Sequence, residues 1–209
     1  MGRVSDARER LLEAVNELTW QQGYNAVTVD AICERAGVKK GSFYHYFDSK
    51  ADLTKAAIET RWQSFSHPLL EKAFAVDVPP LERLKNYFAA IQQNQTELKK
   101  KSGRVLGCAF FCLAMDGGGL EEEVAALAQR YLQKKRRYFE GAIRDAKEQG
   151  LINVDDVEAA TQAVYSLFEG AHARARVQNN PETLTDVYAQ TLRLLGAAPE
   201  QDAARRRTA

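Results

Sequence analysis

Apolar residues in this chain recur at spacings of three and four almost from end to end, and no convincing run alternates apolar with polar. A chain patterned this way folds as packed helices, so the expected class is all-α. Leu11, Leu12, Val15 and Leu18 form one stripe of a first helix that Ser5 can cap and Gly23 ends. Thr28 can cap a short second helix, VDAICERA, closed by Gly37, and a third covers about 40–47. Ser49 with Asp52 makes a capping box for a fourth helix over about 50–66, stopped near Pro68. Pro79-Pro80 opens the next, to about Lys99, and another runs from about Arg104 to Met115 and stops at Gly117 to Gly119. A long helix comes next, from about Leu120 to Glu148, ended by Gly150. Asp155 and Glu158 form a capping pair for a helix to about Val177, and Asn180-Pro181 starts the last, to about Leu195.

The plan is about nine helices: a helix-turn-helix head of three short ones over 1–48, a larger helical bundle over 49–198, and a tail, 199–209, without periodic apolar residues and expected to fray. The 209 residues suffice for a buried core. Net charge is only +1, so any surface for an anionic partner must be local. No apolar run approaches the roughly 20 residues that cross a bilayer, and the polar start MGRVSDARER does not resemble a secretory signal. The odd cysteine count (Cys33, Cys108 and Cys112), with no CxxC pair, suits free thiols in a reducing cytoplasm.

The segment AGVKKGSFYHYFDSK, residues 36–50, concentrates what charge and aromatic surface the chain offers. Arg35, Lys39, Lys40 and Lys50 against Asp48 alone give residues 35–50 a net charge of +3. The second helix, a short GVKK turn and the third helix have helix-turn-helix spacing. On a helical wheel Phe43 and Phe47 turn to the core, with Tyr46 near them. Lys40, Gly41, Ser42, Tyr44 and His45 are left outward: donors, flat rings and one position where backbone can approach closely. Lys39 stands where a capping residue belongs, yet lysine cannot cap and the helix dipole disfavours it, unless an anion comes to that end.

The run GVKKGSFYHYFDSKADL, with GYNAVTVDAICERAGV upstream, resembles the signature of TetR-family transcriptional regulators over about residues 8–58. The resemblance implies an all-α fold with a DNA-binding head and a ligand-binding, dimerising body. By position it implies DNA contacts at Thr28, Lys40, Ser42, Tyr44, Tyr46 and Lys50, with Lys39, Gly41 and His45 on the same side. Thr28, Tyr44, Tyr46 and Lys50 would meet phosphates; Lys40, Gly41, Ser42 and His45 would meet base edges. Lys39 departs from the family pattern, which has a capping Ser or Thr there. The implied protein is a cytoplasmic bacterial regulator, most often a repressor, released from a palindromic operator when a small molecule binds its body.

The last two helices carry small and apolar stripes, Ala163, Val164, Leu167 and Ala171 on one and Leu184, Val187, Thr191 and Leu195 on the other. They either bury within the chain or, as the resemblance implies, form a homodimer interface. A ligand pocket in the bundle would draw on aromatics such as Trp62, Phe65, Phe88, Phe111, Tyr138 and Tyr165, and on Gln92, Cys108 and His172; most of these side chains equally suit ordinary core. In RVLGCAFFCLAMD, Cys108 and Cys112 lie one helical turn apart with Arg104 a turn before. That pattern resembles TetR-type electrophile or oxidant sensors, and it equally suits two small buried residues. No enzyme, metal site or cofactor is expected: His45, His67 and His172 have no spaced Asp, Ser or Cys partner, and no Gly-rich phosphate loop is present.

Overall fold

The computed structural model describes residues 2–116 and 121–197, with side chains from residue 6 onward. Gly117 to Gly119, the expected helix start at Leu120 and the tail 199–209 lie outside the described residues. The described helices are α1 (Gly2–Gln22), α2 (Val29–Ala36), α3 (Lys40–Tyr46), α4 (Lys50–Arg61), α5 (His67–Ala73), α6 (Pro80–Ser102), α7 (Ala109–Met115), α8 (Glu122–Glu148), α9 (Val157–Val177) and α10 (Val187–Leu194), and no strand occurs among these residues. The described residues form two compact units, 2–68 with 108–116 and 121–132, and 69–107 with 133–197. The boundary drawn from sequence at 48 and 49 cuts across the first unit.

In the first unit, α1, α2 and α3 share one core. Leu11, Val15, Ile32 and Phe43 are fully enclosed, with Leu12, Ala36 and Phe47 beside them. Each such side chain contributes roughly 1.5–3 kcal/mol, which short helices like α2 and α3 need because they are not stable alone. The expected caps form: Thr28 accepts the Ala31 N–H at 3.1 Å and Ser49 the Asp52 N–H at 3.0 Å. Gly37 closes α2 in the left-handed region at φ 63°. Helix α4 packs on α1, where the Asn16 amide donates to the Ala57 carbonyl at 3.2 Å. Trp62 stacks on Tyr131, ring centres 4.7 Å apart, with Phe110 against both.

The second unit is built on an aromatic cluster in which Phe88 stacks on Phe168 at 5.0 Å and Phe139 meets Tyr87 and Tyr165 edge-on. Arg83 ties the loop before α6, donating to the Val76 and Val78 carbonyls at 3.1 and 2.8 Å and pairing with Asp145 at 2.5 Å. Gln95, 2% exposed, grips the segment after α6: its carbonyl accepts the N–H groups of Leu106 and Gly107 at 3.1 and 3.0 Å, and its amide donates to the Gly107 carbonyl at 3.0 Å.

Several boundaries differ from the sequence reading, each for a physical reason. α1 runs from Gly2, so Ser5 lies inside it rather than capping it. The helix expected from Arg104 starts only at Ala109, because Gln95, Asn179 and Arg176 hold residues 103–107 extended by side-chain bonds to their backbone. Arg104 is therefore not a helical turn before Cys108. α4 does not stop at Pro68: a π turn over Trp62–Ser66 leads into α5, widening the helix just before the proline, which has no N–H to give and would crowd a tighter turn. Asp156, not Asp155, caps α9, accepting from Glu158 and Ala159. Asn180 does act as a cap, but it opens a 3-10 turn, Pro181–Leu184, ahead of α10. Substituting Gln95→Leu should cost about 3 kcal/mol by leaving buried backbone groups unpaired, read as a lowered denaturant midpoint.

Candidate nucleic-acid interface

Burial of Phe43 fixes which way α3 faces. Its ring is 0% exposed, whereas Tyr44, one residue on, is 54% exposed. Lys39, Lys40, Gly41 and His45 are exposed with it and Ser42 is half-buried, so these residues form one open face. A side chain at position 41 would meet nothing within 4 Å, and the backbone there is open to a partner. Lys39 takes the N-cap position without capping, in extended backbone. Lys40 pairs with Asp30 at 2.8 Å, a hydrogen bond that raises the lysine pKa. Thr28 is exposed beside this face at the start of α2.

Two expected contact residues have other duties. Tyr46 is half-buried against the core of α1–α3. Lys50 is also half-buried: its ammonium donates to the Tyr24 and Val27 carbonyls, both at 3.0 Å, and lies 3.8 Å over the Tyr24 ring. Burial pulls its pKa down, offset in part by Glu121 and Asp116. Lys50 therefore braces the loop that leads into α2.

A second brace was not legible in the sequence. The Asp116 carboxylate, at the end of α7, accepts the Tyr24 N–H, and its carbonyl accepts from the Asn25 amide at 3.0 Å. Lys55 of α4 also pairs with Glu123 of α8 at 2.5 Å. These bonds tie α4, α7 and the start of α8 to the three-helix head.

Residues 11–57, which build this head, match the family model for bacterial regulatory proteins of the tetR family, and residues 80–191 match the Tetracyclin repressor-like C-terminal domain. The chain belongs to the TetR family. It is 32% identical to the transcriptional regulator AcuR of Cereibacter sphaeroides, over 87% of this chain and 81% of that protein. It is 24% identical to the Escherichia coli repressor NemR, over 91% and 94%; the crystal structure of reduced NemR superposes with a TM-score of 0.76, covering 92% and 98%. The crystal structure of a TetR regulatory protein from Rhodobacter sphaeroides, 30% identical, superposes with a TM-score of 0.79 over 90% of this chain and 98% of that one. As in its TetR-family relatives, the chain is a DNA-binding transcriptional regulator and not an enzyme. No helix among the described residues is long and apolar enough to cross a membrane.

The body residues expected in a pocket do not form one set. Trp62, Phe65, Cys108 and Phe111 belong to the first unit, and Phe88, Gln92, Tyr138, Tyr165 and His172 to the second. Trp62 and Phe88 are core rings in their stacks. Gln92 donates to Thr185 at 2.8 Å in an exposed position, and Tyr138 donates to Glu71. Tyr165 is buried edge-on to Phe139, and Phe111 and Phe65 are half-buried. His172, 2% exposed, is different: neither ring nitrogen has a hydrogen-bond partner, and the nearest Glu169 carboxylate oxygen lies 4.0 Å away. Burial pulls its pKa down to about 4, so the ring is neutral. Beside it Lys135 and Glu169 form a buried ion pair at 3.0 Å. Cys108 is buried and Cys112 half-buried.

The dimer stripes also bury inward. Val164, Ala171, Leu184, Val187, Thr191 and Leu195 are sealed within the chain, leaving Ala163 exposed and Leu167 half-exposed. Helical periodicity found the stripe facing the chain's own core. The open stripe of α9 is its neighbour, Ala159, Ala163, Ser166 and Gly170.

Tyr44→Ala should lower operator affinity by at least ~10-fold with the melting temperature unchanged, measured by fluorescence polarisation and calorimetry. Phe43→Ala should instead cost about 3–5 kcal/mol of stability.

Proposed function

We propose that the chain is a homodimeric, ligand-released repressor acting in the bacterial cytoplasm, each protomer laying α3 in one major groove of a two-fold operator. The observation that carries this reading is the open face of α3, held outward by the burial of Phe43. Lys40, Gly41, Ser42 and His45 reach base edges; Thr28, Lys39 and Tyr44 hold phosphates. Tyr46 and Lys50 stand at the rim, Lys50 bracing the loop that leads into α2. Titration of DNA from upstream of the protein's own gene, at two salt concentrations, tests it. Affinity should be sequence-selective and fall steeply with salt, since each neutralised phosphate releases counterions. Affinity that ignores both sequence and salt would sink the reading.

Dimerisation uses the open side of α9. A side chain added at Gly170 meets nothing within 4 Å in one chain, which supports a face free for a partner. Gly170→Arg should therefore give folded monomers in light scattering and lose about 100-fold or more in operator affinity, because the two heads are no longer linked.

The effector enters the second unit near His172. A buried imidazole with no hydrogen-bond partner is costly, and a small molecule carrying a donor or acceptor would satisfy it. His172→Phe should keep operator binding and lose release by the effector. A thiol trigger is the second reading, supported by the Arg61 guanidinium lying close enough to Cys108 for the two to interact electrostatically. Cys108→Ser should then stay on DNA under an electrophile that releases the wild type; equal release of both forms leaves Cys108 as packing.

A further inference from the structure

The face that α3 offers to DNA also carries a carboxylate. Asp30, in the first turn of α2, sets its Oδ1 2.8 Å from the Nζ of Lys40, the first residue of α3. Both side chains are open to solvent, 73% and 55% exposed. Because Lys40 belongs to the open face, the carboxylate at its tip lies on that face too. An exposed ion pair adds little to stability, and a carboxylate near DNA is repelled by the phosphates. An acid in the first turn suits the dipole of α2, but that role needs no contact with Lys40. Neither folding nor general attraction to DNA accounts for the pair.

The pair has hydrogen-bonding capacity to spare. One of the three ammonium donors is used on Asp30, and the carboxylate keeps lone pairs on both oxygens. What faces outward is a donor beside an acceptor, 2.8 Å apart. The major-groove edge of a G·C pair shows the reverse, the O6 acceptor of guanine beside the N4 donor of cytosine. A Watson–Crick hydrogen bond joins those two atoms, so they lie about 2.9 Å apart. The two spacings match. A side chain at Gly41, next to Lys40, would meet nothing within 4 Å, so the backbone there is free to come close to the groove floor.

We propose that Asp30 and Lys40 together read one G·C pair in each operator half-site, Lys40 donating to guanine O6 and Asp30 accepting from cytosine N4. The inference rests on α3 lying in the major groove. It sets an order of preference. G·C with guanine under Lys40 is best, because the ammonium also reaches guanine N7. T·A with thymine under Lys40 comes second: thymine O4 and adenine N6 still set acceptor against donor and donor against acceptor. The two inverted pairs set ammonium against an amino group and carboxylate against a carbonyl oxygen, and are rejected.

The test selects duplexes from a random-sequence pool with the full chain, as wild type, Asp30→Ala, Lys40→Met and the double variant. The wild type should enrich one position per half-site at which each inverted pair binds about 10-fold more weakly than G·C. Each single variant should relax that position and leave the others unchanged, and the double variant should relax it by less than the sum of the two. Melting temperatures should stay within about 3 °C of wild type, since both residues are exposed. On the selected duplex, that cytosine is then replaced by the pyrimidin-2-one nucleoside, which lacks only the N4 amino group. The replacement should cost the wild type about 10-fold more than it costs Asp30→Ala. Equal loss at every position in Asp30→Ala, relaxation of different positions by the two single variants, or a cytosine replacement felt equally by wild type and Asp30→Ala would overturn the pairing. A selected operator with no such position sinks this inference alone, whereas no selection by the wild type sinks the placement of α3 with it.

Discussion

A helix of seven residues cannot hold itself together in water, and α3 is that short. Phe43 and Phe47, buried against Leu11, Val15 and Ile32, supply what it lacks. Because these rings turn inward, the residues between and before them turn outward, and the face offered to DNA is the remainder of a packing problem. The reading surface has few internal contacts of its own, so its shape is no better fixed than the core behind it.

The head was largely legible in the sequence because its rules are local. Thr28, Gly37 and Ser49 act on backbone three or four residues away, and Phe43 declares its side of the helix by periodicity. What escaped was everything set by distant side chains. Nothing near Arg104 says that Gln95 and Asn179 will hold its neighbourhood extended, and the apolar run from Val105 to Met115 reads as helix throughout. The family resemblance implies a phosphate contact at Lys50; only the positions of the Tyr24 and Val27 carbonyls reveal that it is also a brace.

The body was less legible for a different reason. Periodicity reports which face of a helix is apolar, not what covers it. Val164, Val187 and Leu195 satisfied the pattern of an interface and proved to be core, while the open stripe through Ala163 and Gly170 carries little hydrophobic signal. Aromatic residues posed the same ambiguity: Trp62 and Phe88 fill their stacks. The polar residue that stands out, His172, does so only once its surroundings are known, because a buried nitrogen without a partner is a property of the neighbourhood.

The Asp116 carboxylate takes the N–H of a residue 92 positions earlier. During vectorial synthesis the helix-turn-helix emerges from the ribosome long before that partner exists. Until α7 has been made and has docked, its first connecting loop has the Lys50 brace but not the Asp116 one. A nascent or truncated chain ending before α7 would present α3 on a head whose first connection is unfinished, and the same late bond gives α7 a direct hold on the segment that leads into α2.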